Sequence, residues 1–259
     1  MMRSPAASGA DRQRLVAELI VATWNIQFGI EVERAADVIA EHPELSCADL
    51  VLCQELDGEG AARLAELLDL HVEYEPACVH PQTGREFGNA VFTRLPATDR
   101  RVVPLPHRAT VQGTPRLAIG VRTTHDATPL SAWSTHTETP ALRRERRIEQ
   151  FRTVAEAVHR DGTPLLVVGG DFNTVTRRGI ATLSSLMANV DDVPGTSPTV
   201  GAQRIEPSID TTLRRAGRPL ALDHLFVRGA DVLRSGVAAA RGASDHDALW
   251  AAIEPTVQD

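Results

Sequence analysis

Along this chain, short apolar runs alternate with longer stretches in which apolar residues recur at helical spacing. Runs too short for a helix read as buried strands, and recurrence every three to four residues reads as an amphipathic helix. Residues 18–25 (ELIVATWN), 49–55 (DLVLCQE) and 164–170 are predicted to be buried strands. A helix is predicted over 32–42, with Ala35, Ala36, Val38 and Ile39 on one side, and further helices over 61–70, 141–159 and 179–189. Shorter strands are predicted at 89–93, 117–122, 129–135, 222–228 and 248–254, separated by loops bearing Pro and Gly. Residues 194–218, rich in Thr, Pro, Gly and Arg, read as a long loop region. Several neighbouring strands lack a helix between them, so two packed mixed sheets fit better than a repeated β-α-β series. No break in composition marks a boundary. Residues 1–17 are expected to form a flexible leader and 18–256 a single α/β domain.

The ends of the apolar runs carry the chemistry. The first run ends in Asn25, the second in Glu55, and the strand through Thr135 ends in His136. The strand at 164–168 runs into Gly169-Gly170-Asp171-Phe172-Asn173. Leu222 is followed by Asp223 and His224, and the last strand is preceded by Ser244-Asp245-His246-Asp247. Burying a carboxylate costs several kcal/mol, on the order of a lost ion pair, unless it meets a cation or a partner. Acids delivered to strand ends are therefore best explained by convergence on something positive. Glu55, Asp171 and Asp245, with the amides of Asn25 and Asn173, are oxygen donors that suit a hard cation such as Mg²⁺ or Mn²⁺. Two histidines add proton-transfer capacity near neutral pH. This combination suits hydrolysis of a phosphate ester.

Composition narrows the substrate. The chain has 259 residues, is 42% hydrophobic and 24% charged, and carries a formal charge of −7, all of its basic residues being Arg. An acidic balance argues against a general nucleic-acid binder. The odd set Cys47, Cys53 and Cys78 contains no CxxC pair, so reduced thiols and a cytoplasmic location are expected. The N-terminus lacks the apolar core of a signal peptide, and no run is long enough to span a bilayer.

The segments TWNIQ, LCQE, GNAVFTRLP, STH, GGDFN, LDHLF and SDHDAL, in this order from about residue 23 to residue 250, resemble the motif series of the endonuclease/exonuclease/phosphatase superfamily. The resemblance implies a four-layer α/β sandwich, with the active site at one end of two packed sheets. It implies Glu55 as principal Mg²⁺ ligand, with Asn25 beside it and Asp245 completing the polar cluster. Asp171 would orient or deprotonate the attacking water, and Asn173 would hold a phosphate oxygen. His246, supported by Asp223, would contact the scissile phosphate, and His136 would be a second phosphate-facing histidine and a candidate general acid. Asn89, and Arg85 beside the GNAV segment, are candidates for substrate binding, while Arg147 and Gln150 read as structural. Gln27, two positions after Asn25, lends no support to an apurinic-endonuclease assignment, and no aromatic-bearing membrane hairpin is evident.

Bland alternatives exist for single residues. Asp171 with Asn173 alone would be an Asx-type turn, and Asp245 alone a cap. His224 neighbours Asp223 on a strand, so the two point to opposite faces, and His224 belongs to the core or a supporting shell. Arg143, Arg144, Arg146 and Arg147, interleaved with Glu145 and Glu149, read as a solvated, ion-paired helix face. The expected activity is a Mg²⁺-dependent phosphoesterase acting on a small-molecule or lipid-headgroup ester. A DNA or RNA nuclease is the rival, and a non-catalytic binding module is the second alternative.

Overall fold

The computed structural model describes residues 18–110, 113–188, 202–205, 213–215 and 218–256. In chain order the elements are β1 (Leu19–Asn25), α1 (Val32–Glu41), β2 (Leu50–Leu56), α2 (Gly58–Leu68), β3 (His71–Val79), β4 (Glu86–Thr93), β5 (Asp99–Pro104), β6 (Leu117–His125) and β7 (Thr128–His136). They continue with α3 (Arg144–Asp161), β8 (Leu165–Asp171), α4 (Arg177–Ala188), β9 (Gln203–Arg204), β10 (Leu213–Arg215), β11 (Arg218–Leu220), β12 (Asp223–Arg228), β13 (Ala230–Ala238) and β14 (Ala248–Pro255). One six-stranded sheet has the order β13-β14-β1-β2-β4-β3, and the other has the order β5-β6-β7-β8-β12-β9. The pairs β1–β2 and β7–β8 are parallel, and the remaining pairings are antiparallel. The expected α/β architecture of two packed mixed sheets with outer helices is what the chain adopts.

Alternation along the strands builds the layers. In β1, Leu19 and Val21 face the second sheet, whereas Ile20, Ala22 and Trp24 pack under the layer that holds α1 and α2. In β8, Leu165 and Val167 face inward, whereas Leu166 and Val168 join Phe151, Phe172 and Phe226 under α3 and α4. The sheets pack tightly at Gly169, where an added Cβ would fall 2.8 Å from both Thr23 Cβ and Leu52 Cδ1. Helix boundaries follow local chemistry. Asp57 caps α2 by accepting from Gly60 N at 2.7 Å, and Gly162, with φ of 67°, ends α3.

The strands that the apolar pattern did not predict are β3, β5, β9 and β13, one at each edge of the two sheets, together with the small β10–β11 pair. Edge strands are half exposed and carry mixed residues: β3 includes Pro76 and has no fully buried position. The expected long loop at 194–218 is thus corrected within its described part, since β9, β10 and the start of β11 lie there. The expected leader at 1–17 and Asn189, the last residue of a predicted helix, lie outside the described residues. Among the described residues, no helix is long and apolar enough to cross a membrane.

Candidate active site

Strand parity and register carry four polar side chains to one end of the space between the sheets. Asn25 continues the inward face of Leu19 and Val21 to the last residue of β1. In the second sheet, His136 lies opposite Asp171, and Asp171 lies opposite Asp223, so the ends of β7, β8 and β12 stand side by side. Each shares the inward face of its strand: Leu130 and Ala132 for His136, Leu165 and Val167 for Asp171, Leu225 and Val227 for Asp223.

Glu55 reaches the same place against its parity. Leu50 and Leu52 face the second sheet, and Gln54 continues that face to donate to Ser134 Oγ at 3.0 Å. Glu55 would then point to the helix layer with Val51 and Cys53. Instead the β2–β4 register shifts between Gln54 and Leu56, and Glu55 adopts φ of 61°. This bulge turns its carboxylate back to the site, where Asn25 Nδ2 donates to Glu55 Oε1 at 3.0 Å and to Asp171 Oδ2 at 3.2 Å. Bulges commonly re-aim a side chain in this way, and left-handed backbone at a non-glycine residue costs roughly 1–3 kcal/mol.

His246 arrives from the loop before β14. Its Nδ1 is 2.7 Å from Asp223 Oδ2, and its Nε2 is 3.9 Å from Asp171 Oδ2. The loop is pinned on both sides: Trp24 Nε1 donates to the His246 carbonyl at 2.8 Å, and Ser244 Oγ donates to the Asn25 carbonyl at 2.6 Å. Asn173, with φ of 46°, donates its backbone N–H to Asp171 Oδ1 at 2.8 Å and its side-chain amide to the Thr137 carbonyl at 2.9 Å. That amide also lies 3.3 Å from His136 Nε2.

Burial and charge set the protonation states. Burial raises the Asp171 carboxyl to about 7, helped by the Asp223 charge and opposed by His246. Burial also raises Glu55, against the lowering effect of the Asn25 hydrogen bond and of the Arg116 and His246 charges. For His246, burial disfavours the imidazolium, but the charge and hydrogen bond of Asp223, with Asp171 and Asp245 behind them, lift it to about 10. His136 is held well below the usual histidine range by burial, reinforced by Arg116 and His246. At neutral pH the site therefore holds one charged and one neutral imidazole.

The residues proposed from the sequence do not all meet. Asp245 is exposed and acts on Glu55 and His246 through its charge. Asn89 sits beside Gln54 in register, buried, and donates to the Leu117 carbonyl at 2.9 Å. Arg85 is engaged with the α2 cap, its Nε donating to Asp57 Oδ2 at 2.7 Å. His224 points away from Asp223, with Nε2 3.1 Å from the Thr174 carbonyl and its ring against Phe172. Arg147 Nη1 donates to the Asn173 carbonyl at 2.8 Å, and Gln150 ties the Glu138 backbone to α3. The expected helix face is solvated, with Arg143, Arg144, Glu145, Arg146 and Glu149 exposed, but Glu149 meets His107 rather than a neighbouring arginine.

One residue at the site escaped the sequence reading. Arg116 is buried, lies 2.9 and 3.0 Å from the two ring nitrogens of His136, and reaches Glu138 Oε1 at 3.5 Å. Its guanidinium sits 5.1 Å above the Phe87 ring. It lies just before β6, in a Pro-Arg-Leu segment with no motif to single it out; the one available signal was a charged residue abutting the apolar run from Leu117 to Val121.

A family-wide sequence profile, described as the Endonuclease/Exonuclease/phosphatase family, matches residues 22–246. The chain belongs to this family. The family's hydrolases act on phosphate esters, as nucleases or phosphatases. No curated protein matches the chain in sequence. Solved structures share the fold at low identity. An endonuclease/exonuclease/phosphatase from Beutenbergia cavernae superimposes with a TM-score of 0.72 at 22% identity, over 92% of this chain and 72% of that one. A mannosyl-6-phosphatase from Bacteroides thetaiotaomicron gives 0.68 at 15%, over 91% of this chain and 99% of that one. D. rerio TDP2 complexed with a single-strand DNA product gives 0.68 at 14%, over 92% and 99%.

A divalent cation, general in the endonuclease/exonuclease/phosphatase family, fits the donor set. Glu55, Asp171, Asp223 and Asp245 face two cationic groups, His246 and Arg116, and Arg116 also serves Glu138. Ligand-type atoms of Asp171, Asp223 and His246 lie within 4.8 Å of one another. That trio includes the His246–Asp223 ion pair, and Asn25 links Glu55 to Asp171 beside it.

Proposed function

We propose that this chain is a Mg²⁺- or Mn²⁺-dependent phosphoesterase that cleaves a small-molecule or lipid-headgroup ester by in-line attack of water. What carries the reading is the convergence of Asn25, Glu55, His136, Asp171 and Asp223, drawn from both sheets, and of His246 from the loop before β14, on one largely buried cluster. Asp171, raised to about 7, is suited to orient a water and take its proton near neutral pH. His246, kept charged by Asp223, presents Nε2 as a donor to phosphoryl oxygens. Asn173 and Arg116 add donors on the side of His136. An uncharged His136 suits a phosphate contact better than protonation of the leaving oxygen. A cation held by Glu55 and Asn25, with Asp245 nearby, would neutralise charge on the phosphoryl oxygens.

The formal charge of −7 supports a small substrate over a nucleic acid, and three unpaired cysteines support a reduced, cytoplasmic setting. The test is a panel of phosphomonoesters, phosphodiesters, sphingomyelin, single-stranded DNA and supercoiled plasmid, assayed at low salt with Mg²⁺ and with EDTA. Hydrolysis of a small ester that EDTA abolishes and Mg²⁺ restores is the expected result. Plasmid nicking without small-ester turnover would assign the nuclease instead. No turnover of any member, with no Mg²⁺ binding by calorimetry, would assign a binding module.

A further inference from the structure

Directly after Asn25, the residues Gln27, Phe28 and Gly29 all take positive φ, at 45°, 60° and 58°. Left-handed backbone is unfavourable for any residue but glycine, and a bulky aromatic is among the least suited to it. The turn is tied to the site, because Gln27 N donates to Asn25 Oδ1 at 3.1 Å and Ile26 N donates to the Gln54 carbonyl at 3.1 Å. Of the six phenylalanines, Phe87, Phe92, Phe151, Phe172 and Phe226 are buried, and Phe28 alone is only partly so. Its ring lies 4.8 Å from that of His80 and 5.5 Å from that of Phe87. Phe87 in turn stands 5.7 Å from the His136 ring, so a line of rings leads from the phosphate-facing histidine outward. Near its outer members in the chain, Ile30, two residues after Phe28, and Val79, next to His80, are 61% and 62% exposed.

A strained backbone that holds an aromatic at the rim of a polar site has no use in binding phosphate alone. Resting on the phosphoesterase reading of the adjoining cluster, we propose that Phe28 and His80 form a subsite for the organic group of the substrate, which carries a flat or apolar ring close to the scissile phosphate. Ring faces and edges attract other rings through dispersion and their quadrupoles.

Calorimetric titration of the full-length protein with phenylphosphonate and methylphosphonate, in the presence of Mg²⁺, tests the subsite without turnover. Wild type is expected to bind the phenyl compound about tenfold more tightly. Phe28→Gly removes the ring and relieves the backbone, so the variant should fold and lose this preference, whereas Phe28→Tyr should keep it. Equal affinities in wild type, no measurable binding of either probe, or a preference that survives in Phe28→Gly would overturn the proposal. Phenyl preference without hydrolysis of any ester would overturn the phosphoesterase reading and leave the subsite standing. Hydrolysis without phenyl preference would do the reverse.

Discussion

His246 Nδ1 and Asp223 Oδ2 stand 2.7 Å apart, joining the loop before β14 to the first residue of β12. The pair keeps the imidazolium charged up to about pH 10, although burial opposes this. His246→Ala should therefore lower the rate by at least about 10², the scale for a positioned acid or base, with circular dichroism unchanged. Asp223→Asn should move the His246 titration down towards neutrality, because the charge that raised it is gone. The alkaline limb of the pH–rate profile should follow, and an NMR titration of the His246 ring in both proteins checks the direction. Asp171→Asn should match His246→Ala in loss; turnover near that of wild type by either variant would remove that residue from the mechanism.

The bulge at Glu55 combines two unfavourable features, a buried carboxylate and a left-handed backbone. Burial that raises a carboxyl means that its charged form opposes folding at neutral pH. Glu55→Gln keeps the acceptor for Asn25 but removes the charge. In EDTA the variant should be more stable than wild type by about 1 kcal/mol, as often found when a functional group is neutralised. Its calorimetric affinity for Mg²⁺ should fall by at least about tenfold. Unchanged Mg²⁺ affinity would assign the cation to other residues.

Parity explains how much of this site was legible. Asn25, His136, Asp171 and Asp223 end strands whose apolar residues already mark the inward face, so the pattern placed all four. The same alternation sent His224 outward, where it meets Thr174 and Phe172. Glu55 was found by its segment alone, because its face is set by a register shift that apolar spacing does not encode. Arg116 is buried by contacts with His136, at the end of β7, and Glu138, just beyond it, a circumstance that spans about twenty residues of chain. The four edge strands were missed for one physical reason: pairing on a single side leaves half of their positions in water, and the apolar run that signals a strand disappears.

His224 supplies a pH dependence of stability separate from catalysis. Burial, with Arg204 adding, holds its imidazole down at about 4, from an ordinary value of 6.5. Above pH 6.5 neither the folded nor the unfolded form carries the charge. Between pH 6.5 and 4 the unfolded chain binds a proton that the folded one refuses, so stability falls as pH falls. The size is about 3 kcal/mol by pH 4, at about 1.4 kcal/mol per unit. Urea unfolding of His224→Gln should show a shallower loss across this window than wild type does; parallel curves would remove the effect.

At Gly169 the two sheets are in close contact, and the alignment of the site across them depends on their spacing. A methyl group there would lie 2.8 Å from Thr23 Cβ and 2.8 Å from Leu52 Cδ1, with Leu225 Cδ2 at 3.1 Å. None of these can withdraw freely: Leu52 and Leu225 fill the core between the sheets, and Thr23 Oγ1 donates to the Leu52 carbonyl at 3.1 Å. Overpacking of a filled core costs roughly 1–3 kcal/mol, so Gly169→Ala should lower the melting temperature by about 5 °C. The displacement also separates Asn25 on β1 from Asp171 on β8, which now meet at 3.2 Å. Activity should accordingly drop more than the folded fraction does. A variant that melts like wild type would show that the sheets have slack at this point, and that the alignment of Asn25 with Asp171 is set elsewhere.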